Sequence, residues 1–517
     1  MSDRISHPAE LDRTATDTFR KLVWFILLTG AAIRIYLLYS THATEEDFYI
    51  TLRYAENIAA GNGFVYNAGQ HVLGTTTPLY TLVLACFARI GFDPTLSGKL
   101  LGIVADLMTG LLTYRLGRAV GRPVAGLAAA ACLSFAPTNL IWSIKGMEVG
   151  IVAATVIGAW CAWVEKREVI AWVCAAVLVL LRIDGAVLAA IMLGATILRD
   201  RRIPWRGIAA FVVLAAPWTL FATLYFGSPL PLSLAAKLTV YGRVIPGRFP
   251  QLMPFLVLML HSPFGLLIAA GCLVYGVYAF TLWRTSNTSV KAESEHPELG
   301  LAAPLLWIIV YYAGMALSHV VLFGWYFVPP TPIYYLVSMV GISAAVERLG
   351  FSEAAAVYKR VATGTAALVG LAVSLVAPHV ARTLRESQAV ETNLRTPIGI
   401  WIHDQARPAD TLMLEPIGYI GYYSRLRVID VIGLVSPEVL PSYKLEVACP
   451  DHDLWQRLRP VWLLLRAGQV TKLREYEASL APEQRLGAAY DEVKSWKDPV
   501  NLAGAPAFVL YHLREDR

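Results

Sequence analysis

Residues 44–67 read TEEDFYITLRYAENIAAGNGFVYN, placing three consecutive acids, Glu45, Glu46 and Asp47, just beyond the chain's first long apolar run, Leu22 to Tyr39. That run has no small-residue cleavage site after it and reads as a retained span, with the N-terminus in the cytoplasm. On a helix from about Glu45 to Ala60, Phe48, Leu52, Ala55 and Ala59 recur at i, i+4, i+7 and i+11 and form one narrow apolar stripe. Glu46, Arg53 and Asn57 fall on the opposite face, with Asp47 and Tyr54 between the two. The helix stops at Gly61–Gly63 and a short extended piece, FVYN, follows. A surface helix thus holds polar groups at the depth of the lipid headgroups. A carboxylate there, close to a cation such as Arg53, is suited to take a proton from a hydroxyl or to hold a metal. The plainer reading is negative charge placed at a helix N-terminus, where the macrodipole favours it.

Composition sets the frame. Of 517 residues, 56% are hydrophobic and 16% charged, with a mean hydropathy of +0.52. This excludes an ordinary soluble protein and indicates a polytopic α-helical membrane protein. From residue 381 onward there are 17 Lys and Arg against 18 Asp and Glu, and in the first 380 residues 27 against 20. The positive excess therefore belongs to the membrane part, where it reports topology and contact with anionic lipid; nucleic acid is not a predicted partner. The six cysteines include one, Cys449, in the polar C-terminal part, and none stands at metal-ligand spacing, so they read as small buried hydrophobes.

Eleven spans fit, at about 22–40, 97–118, 123–143, 147–164, 169–182, 184–199, 206–225, 262–283, 301–318, 330–348 and 361–378. Basic residues then fall at every cytoplasmic turn: Arg115, Arg118 and Arg122; Lys166 and Arg167; Arg199, Arg201, Arg202 and Arg206; Arg284 and Lys291; Arg348, Lys359 and Arg360. Pro78 to Phe92 is short for a span and reads as an amphipathic or re-entrant helix, which leaves the loop 41–97 on the outer face. Residues 284–300 read as a polar cytoplasmic linker. The expected organisation is a transmembrane domain over 1–380 and an extracytoplasmic α/β domain over 381–517. In the second unit, DTLMLEPIGYIGYYSRLRVIDVIGLV alternates strand, Gly-rich helix and strand, and RPVWLLLRAG and PAFVLYHL supply further strands.

The segment from Glu45 to Ala85 resembles the first outer loop of the GT-C membrane glycosyltransferases. The similar branch runs Asp-Asp-Ala-Tyr-Ile, Arg-Tyr-Ala, Gly-x-Gly-x-Val-x-Asn, a Thr-rich turn and Pro-Leu. It includes the mycobacterial terminal arabinofuranosyltransferases and is more distantly similar to protein O-mannosyltransferases and the lipid A aminoarabinose transferase. KGMEVG at 145–150, RIDG at 182–185, YFGSPLPLSLAAK at 225–237, GWYFVPP at 324–330 and VIDVIGLVSPEV near the C-terminus extend the resemblance over most of the chain. Two positions depart from it: Glu46 stands where the family has its first Asp, and Leu73, in LGTTTP, where it has a Glu.

The resemblance implies transfer of a monosaccharide, arabinofuranose or a mannose-like sugar, from a polyprenyl-phosphate donor. The acceptor is a hydroxyl of a cell-envelope glycan, lipid or protein on the outer face of the plasma membrane, and the anomeric carbon is inverted. The catalytic base is Asp47 or Glu46. Arg53, Lys145, Arg182, Lys237, Arg243 and His319 are candidates for the donor phosphate and its lipid, since growing negative charge on the departing phosphate needs cations. Tyr54, Tyr66, Asn67, Glu148, Asp184, Trp325 and Tyr326 are candidates for the sugar and acceptor. The chemistry requires no cofactor; Glu45 and Asp47 leave room for a divalent metal. Three rivals stand beside this reading: an oligosaccharide transferase of the same superfamily, a flippase for lipid-linked sugars, and an inert scaffold. A flippase needs charged groups along a route through the bilayer; the second span offers Asp106 and Arg115, and Asp106 lies too near its outer end to trace a path.

Overall fold

The computed structural model describes residues 8–244, 263–285, 295–317, 321–349, 364, 368–445, 447–497 and 506–514. The chain opens with a long helix, α1 (Pro8–Thr41), and drops through four residues into α2 (Glu46–Ala59), the helix expected from the opening stretch. Its apolar stripe is inside: Phe48, Leu52 and Ala55 are buried, while Glu46, Arg53 and Asn57 are half-buried on the other face. The Gly-rich stop and the loop beyond it lead to α3 (Pro78–Arg89), the short helix expected over 78–92.

The membrane core continues through α4 (Pro94–Ala119), α5 (Pro123–Phe135), α6 (Pro137–Ser143), α7 (Val149–Val164), α8 (Glu168–Leu181), α9 (Gly185–Asp200), α10 (Trp205–Phe226) and α11 (Leu232–Val244). Small residues set how closely α4 and α5 cross: a Cβ on Gly117 would lie 2.5 Å from the Gly126 Cα. Among the described residues, six helices are long and apolar enough to cross a membrane. They include Asp17–Thr41, α4, α10 and Leu368–Gln405, and the bent pair α5–α6 makes a seventh if it crosses as one. Helices α7, α8 and α9, expected as full spans, have 16, 14 and 16 residues. Fourteen residues of helix cover about 21 Å, less than the roughly 30 Å of a bilayer's hydrocarbon core. The span expected over 361–378 lies partly outside the described residues, and the boundary drawn at 380 falls inside the helix Leu368–Gln405.

Asp106 and Arg115, both in the second span, have separate partners. Asp106 on α4 pairs with Arg34 on α1, both buried. Arg34 also donates to Ser143 Oγ at 3.0 Å and to the carbonyl of Ser134 at 2.9 Å, so this charge is satisfied by the packing of α1, α4, α5 and α6. Arg115 points elsewhere, to Glu165 at 2.6 Å at the end of α7. Arg122 likewise reaches Glu347 at 2.6 Å and Glu298 at 3.1 Å, and Arg202 reaches Glu168 at 2.7 Å. Turns that share basic residues in the sequence are thus stitched to neighbouring helix ends by acids.

After residue 405 the chain forms a five-stranded sheet. Strands β1 (Thr411–Leu414), β2 (Arg427–Asp430) and β3 (Trp462–Arg466) are parallel neighbours, and β4 (Tyr490–Lys497) and β5 (Pro506–Leu513) extend the sheet antiparallel, in the order β2-β1-β3-β5-β4. β1, β2, β3 and β5 fall on the expected runs. β4 was not foreseen because its exposed edge carries Asp, Glu, Lys and Ser rather than an apolar run. One face of the sheet shares a core with α2 and the loop after it: Tyr54, Phe64, Tyr66 and Leu73 pack with Leu412, Leu414, Val428 and Leu464.

Candidate active site

Asp47, one residue into α2, faces a polar cavity whose wall also holds Glu148, Arg182, Lys237, Trp325 and Tyr326. Four separate stretches of chain supply these side chains. Glu148 immediately precedes α7, Arg182 caps the end of α8, Lys237 stands in the second turn of α11, and Trp325 and Tyr326 belong to a single turn, Gly324–Phe327.

The charges are arranged in a definite order. Arg182 pairs with Glu148 at 3.2 Å and with Asp184 at 2.9 Å, and its guanidinium lies over the Tyr326 ring, 4.9 Å from the centroid. Buried between two carboxylates and an aromatic face, it is a fixed cation. Withdrawal from water raises the carboxyl of Asp47 above its ordinary value; Lys237 opposes that shift, and Glu45 and Glu148 add to it. A carboxylate held in this way is a better proton acceptor than one in water.

The floor of the cavity is the turn Thr75–Thr77. Tyr54, fully buried, fixes this turn by donating to the carbonyl of Val72 at 2.7 Å and accepting the N–H of Gly74 at 2.8 Å. The hydroxyls of Thr75 and Thr77 lie 3.1 Å apart. Leu73 accepts the N–H of Leu232 at 2.8 Å, which ties the turn to the start of α11. The C-terminal unit contributes Leu434 from the loop after β2. Asp430 holds that loop by accepting the N–H groups of Ile432 at 3.0 Å and Leu434 at 2.5 Å, and burial pushes its carboxyl up to about 7.

Beside the polar cavity lies an apolar groove walled by Val187, Leu234, Val310, Tyr311 and Met315. The two volumes share Thr76, Arg182, Ser233, Lys237 and Tyr326, and Asp184 lines the groove. A polar chamber therefore opens, across a cationic threshold, into a slot suited to a hydrocarbon chain.

Several sequence candidates have other work. Glu46 turns away from the cavity and accepts the N–H groups of Gly418 at 2.6 Å and Tyr419 at 3.2 Å, with Arg395 at 3.3 Å. It clamps α2 to the C-terminal unit. Arg53 donates to the carbonyls of Tyr66 at 2.9 Å, Gly421 at 2.5 Å and Leu426 at 2.5 Å, which consumes the guanidinium expected on phosphate. Tyr66 donates to the Ile417 carbonyl at 2.6 Å, and Asn67 both donates to and accepts from the Val428 backbone, at 2.8 and 3.0 Å. Tyr54, Tyr66 and Asn67 are thus structural parts of the joint between loop and sheet. Lys145 pairs with Glu45 at 2.7 Å. That takes up the acid offered as a metal ligand with Asp47, and the described residues contain no group of three His, Cys, Asp or Glu arranged for a metal. His319 and the side chain of Arg243 lie outside the described residues.

The sequence reading missed Thr75–Thr77, Ser233, Leu434 and Arg395. The Thr-rich turn was visible as a motif; Leu434 gave no signal, because one apolar residue in a loop has no periodicity to mark it.

Comparison with known proteins places the fold. Over 94% of this chain and 97% of the other, the fold matches the crystal structure of ArnT from Cupriavidus metallidurans bound to undecaprenyl phosphate, with a TM-score of 0.56 and 14% identity. It also matches the oligosaccharyltransferase AglB from Archaeoglobus fulgidus in complex with an inhibitory peptide and a dolichol-phosphate, over 90% of this chain and 72% of that one, with a TM-score of 0.53 and 13% identity. The arabinofuranosyltransferase AftD from mycobacteria aligns more loosely, at a TM-score of 0.47 and 15% identity over 95% of this chain and 41% of that one, and has no bearing on the sugar. The chain has the fold of the GT-C membrane glycosyltransferases. Within it, residues 382–511 match a family described as a domain of unknown function, DUF8728. No curated protein matches the sequence.

Proposed function

We propose that this protein is an inverting glycosyltransferase that moves a monosaccharide from a polyprenyl-phosphate donor to an acceptor hydroxyl at the outer face of the membrane. The observation that carries the reading is the junction of a polar cavity holding Asp47, Arg182 and Lys237 with an apolar groove. The prenyl chain occupies the groove, the phosphate rests at the shared threshold, and the sugar enters the polar cavity against Trp325 and Tyr326. Asp47 takes the proton of the acceptor hydroxyl as its oxygen attacks the anomeric carbon. The bond to the phosphate oxygen breaks on the opposite side, and Lys237 and Arg182 meet the negative charge left on the lipid phosphate.

Charge counting favours a single phosphate. The cavity wall carries two cations, Arg182 and Lys237, against Asp47 and Glu148, with Asp184 close behind. A phosphodiester brings one negative charge into this balance; a diphosphate brings two and finds no further cation among the described lining residues. Glu148 and Asp184 orient Arg182 rather than hold the sugar. The basic turns at Arg115, Arg122 and Arg202 lie on the cytoplasmic side in this reading, and the C-terminal unit covers the site from outside. The sugar is arabinofuranose or a mannose-like one, and the acceptor hydroxyl belongs to a cell-envelope glycan, lipid or protein.

The test is sugar transfer, or release as free sugar, by purified protein from a panel of synthetic polyprenyl-phosphate monosaccharides. Turnover of one donor, abolished by Asp47→Asn with lipid binding retained, is the expected result. Lipid binding without turnover of any donor would sink the reading in favour of a flippase or scaffold.

A further inference from the structure

The proposed mechanism gives work to Arg182 and Lys237 at the threshold and none to Ser233, which lines both volumes with them. Ser233 is 3% exposed, and its hydroxyl has no hydrogen-bond partner among the described residues. Buried hydroxyls are almost always bonded, because folding removes the water that would otherwise bond them. Elsewhere in the membrane part Thr109, Thr113, Thr155 and Thr196 follow that rule by donating to the carbonyl four residues earlier, while Ser40 and Ser338 share the condition of Ser233 but line neither volume. Ser233 has no such outlet: it is the second residue of α11, and four residues earlier the chain is at Pro229, outside the helix. Among the described residues with a buried side-chain atom in this condition, Ser233 is the one that lines the polar cavity.

Its surroundings select the kind of ligand. Lys237 follows one turn later on the same face of α11, and both side chains border the cavity and the groove. The first turn of a helix is its positive end, so an anion beside Ser233 is favoured by the dipole as well as by Lys237. Arg182 stands in the same threshold. A sugar hydroxyl would sit deeper, against Asp47 and the aromatic wall; at the mouth of an apolar groove the polar group presented is the lipid's phosphate.

We infer that Ser233 is a further ligand of the donor, its hydroxyl donating to a non-bridging oxygen of the lipid phosphate at the N-terminal turn of α11; the inference rests on the lipid-phosphate reading above. Ser233 adds a neutral donor to two charged ones and so tightens phosphate binding without adding charge to the cavity.

The experiment measures binding of undecaprenyl phosphate and of undecaprenol to the purified full-length protein and to Ser233→Ala, Ser233→Cys and Ser233→Thr. The wild type is expected to prefer the phosphate. Ala and Cys, of which the second keeps the side chain's volume, should each weaken phosphate binding about tenfold and leave undecaprenol binding unchanged, while Thr restores most of the loss. Wild-type phosphate affinity in the Ala and Cys variants, or an equal loss of both lipids, overturns the inference and leaves the lipid-phosphate reading standing. A wild type that does not distinguish phosphate from alcohol overturns both.

Discussion

Glu46 and Asp47 are adjacent on α2 and face different partners: Glu46 is gripped by the backbone of Gly418 and Tyr419, and Asp47 lines the polar cavity. One residue of helix turns a side chain by about 100°, which is enough to separate a structural clamp from a chemical group. Asp47→Asn is therefore expected to lower kcat by about 10² to 10⁴-fold, the range for loss of a general base, with little change in melting temperature. Glu46→Gln weakens bonds to a charged acceptor, costing about 1–3 kcal/mol of stability, and retains turnover at permissive temperature. Parallel kinetics and thermal melts of the two variants decide the assignment; the opposite pattern would make Glu46 the base.

The acid limb of the pH profile tests the same carboxylate. Asp47 must be ionised to accept a proton, and withdrawal from water holds its pKa above the ordinary value. Activity should thus fall as the pH drops through that raised pKa, at a higher pH than for an exposed Asp. Lys237 favours the ionised form. Lys237→Gln is expected to move the limb to still higher pH as well as to lower turnover, and a limb that stays in place would mean that another group titrates.

Much of this site was legible in the sequence, for a physical reason. Asp47, Glu148, Arg182, Lys237, Trp325 and Tyr326 are polar or amphipathic groups in apolar surroundings, and such residues stand out against a membrane protein's background. The structure brings them to one cavity. Arg53, Tyr66 and Asn67 stood out equally, yet they bind the backbone of a segment some 350 residues further on. Sequence pattern marks a residue as polar and buried; whether its partner is a substrate or a distant carbonyl depends on tertiary contacts that no local period records. The same limit explains Asp106, whose partner, Arg34, lies on the first helix. In the C-terminal unit the buried strands were legible from their apolar runs, and the exposed edge strand β4 was not.

Arg182 is held between Glu148 and Asp184, so removing it leaves two carboxylates without their cation. Arg182→Ala is expected to cost about 3–5 kcal/mol of stability, and Arg182→Ala with Asp184→Asn to recover part of it, because the second change removes one of the stranded charges. Arg182→Lys keeps a charge but not the fork that bonds two partners at once, and should fold while binding the lipid phosphate more weakly. Thermal melts and binding of undecaprenyl phosphate separate the two effects. A double variant no more stable than the single one would show that the Arg182–Asp184 pair does not set the cost.

Gly74 is the point where the Thr-rich turn meets the C-terminal unit. A Cβ there would lie 2.6 Å from Val435 Cγ1, 2.7 Å from the Leu434 carbonyl oxygen and 2.9 Å from the Tyr54 hydroxyl. None of these can yield cheaply: the carbonyl belongs to the loop that Asp430 holds, and the hydroxyl is bonded on both sides. Gly74→Ala should therefore push the loop carrying Leu434 away from the turn and open the polar cavity to water. Water admitted there weakens the field of Lys237 and Arg182 at the phosphate and competes with the acceptor for the sugar. The expected signature is a rise in hydrolysis of the donor relative to transfer, with lipid binding in the groove retained, since the groove is walled by other residues. An unchanged ratio of hydrolysis to transfer would mean that the C-terminal loop does not seal the site.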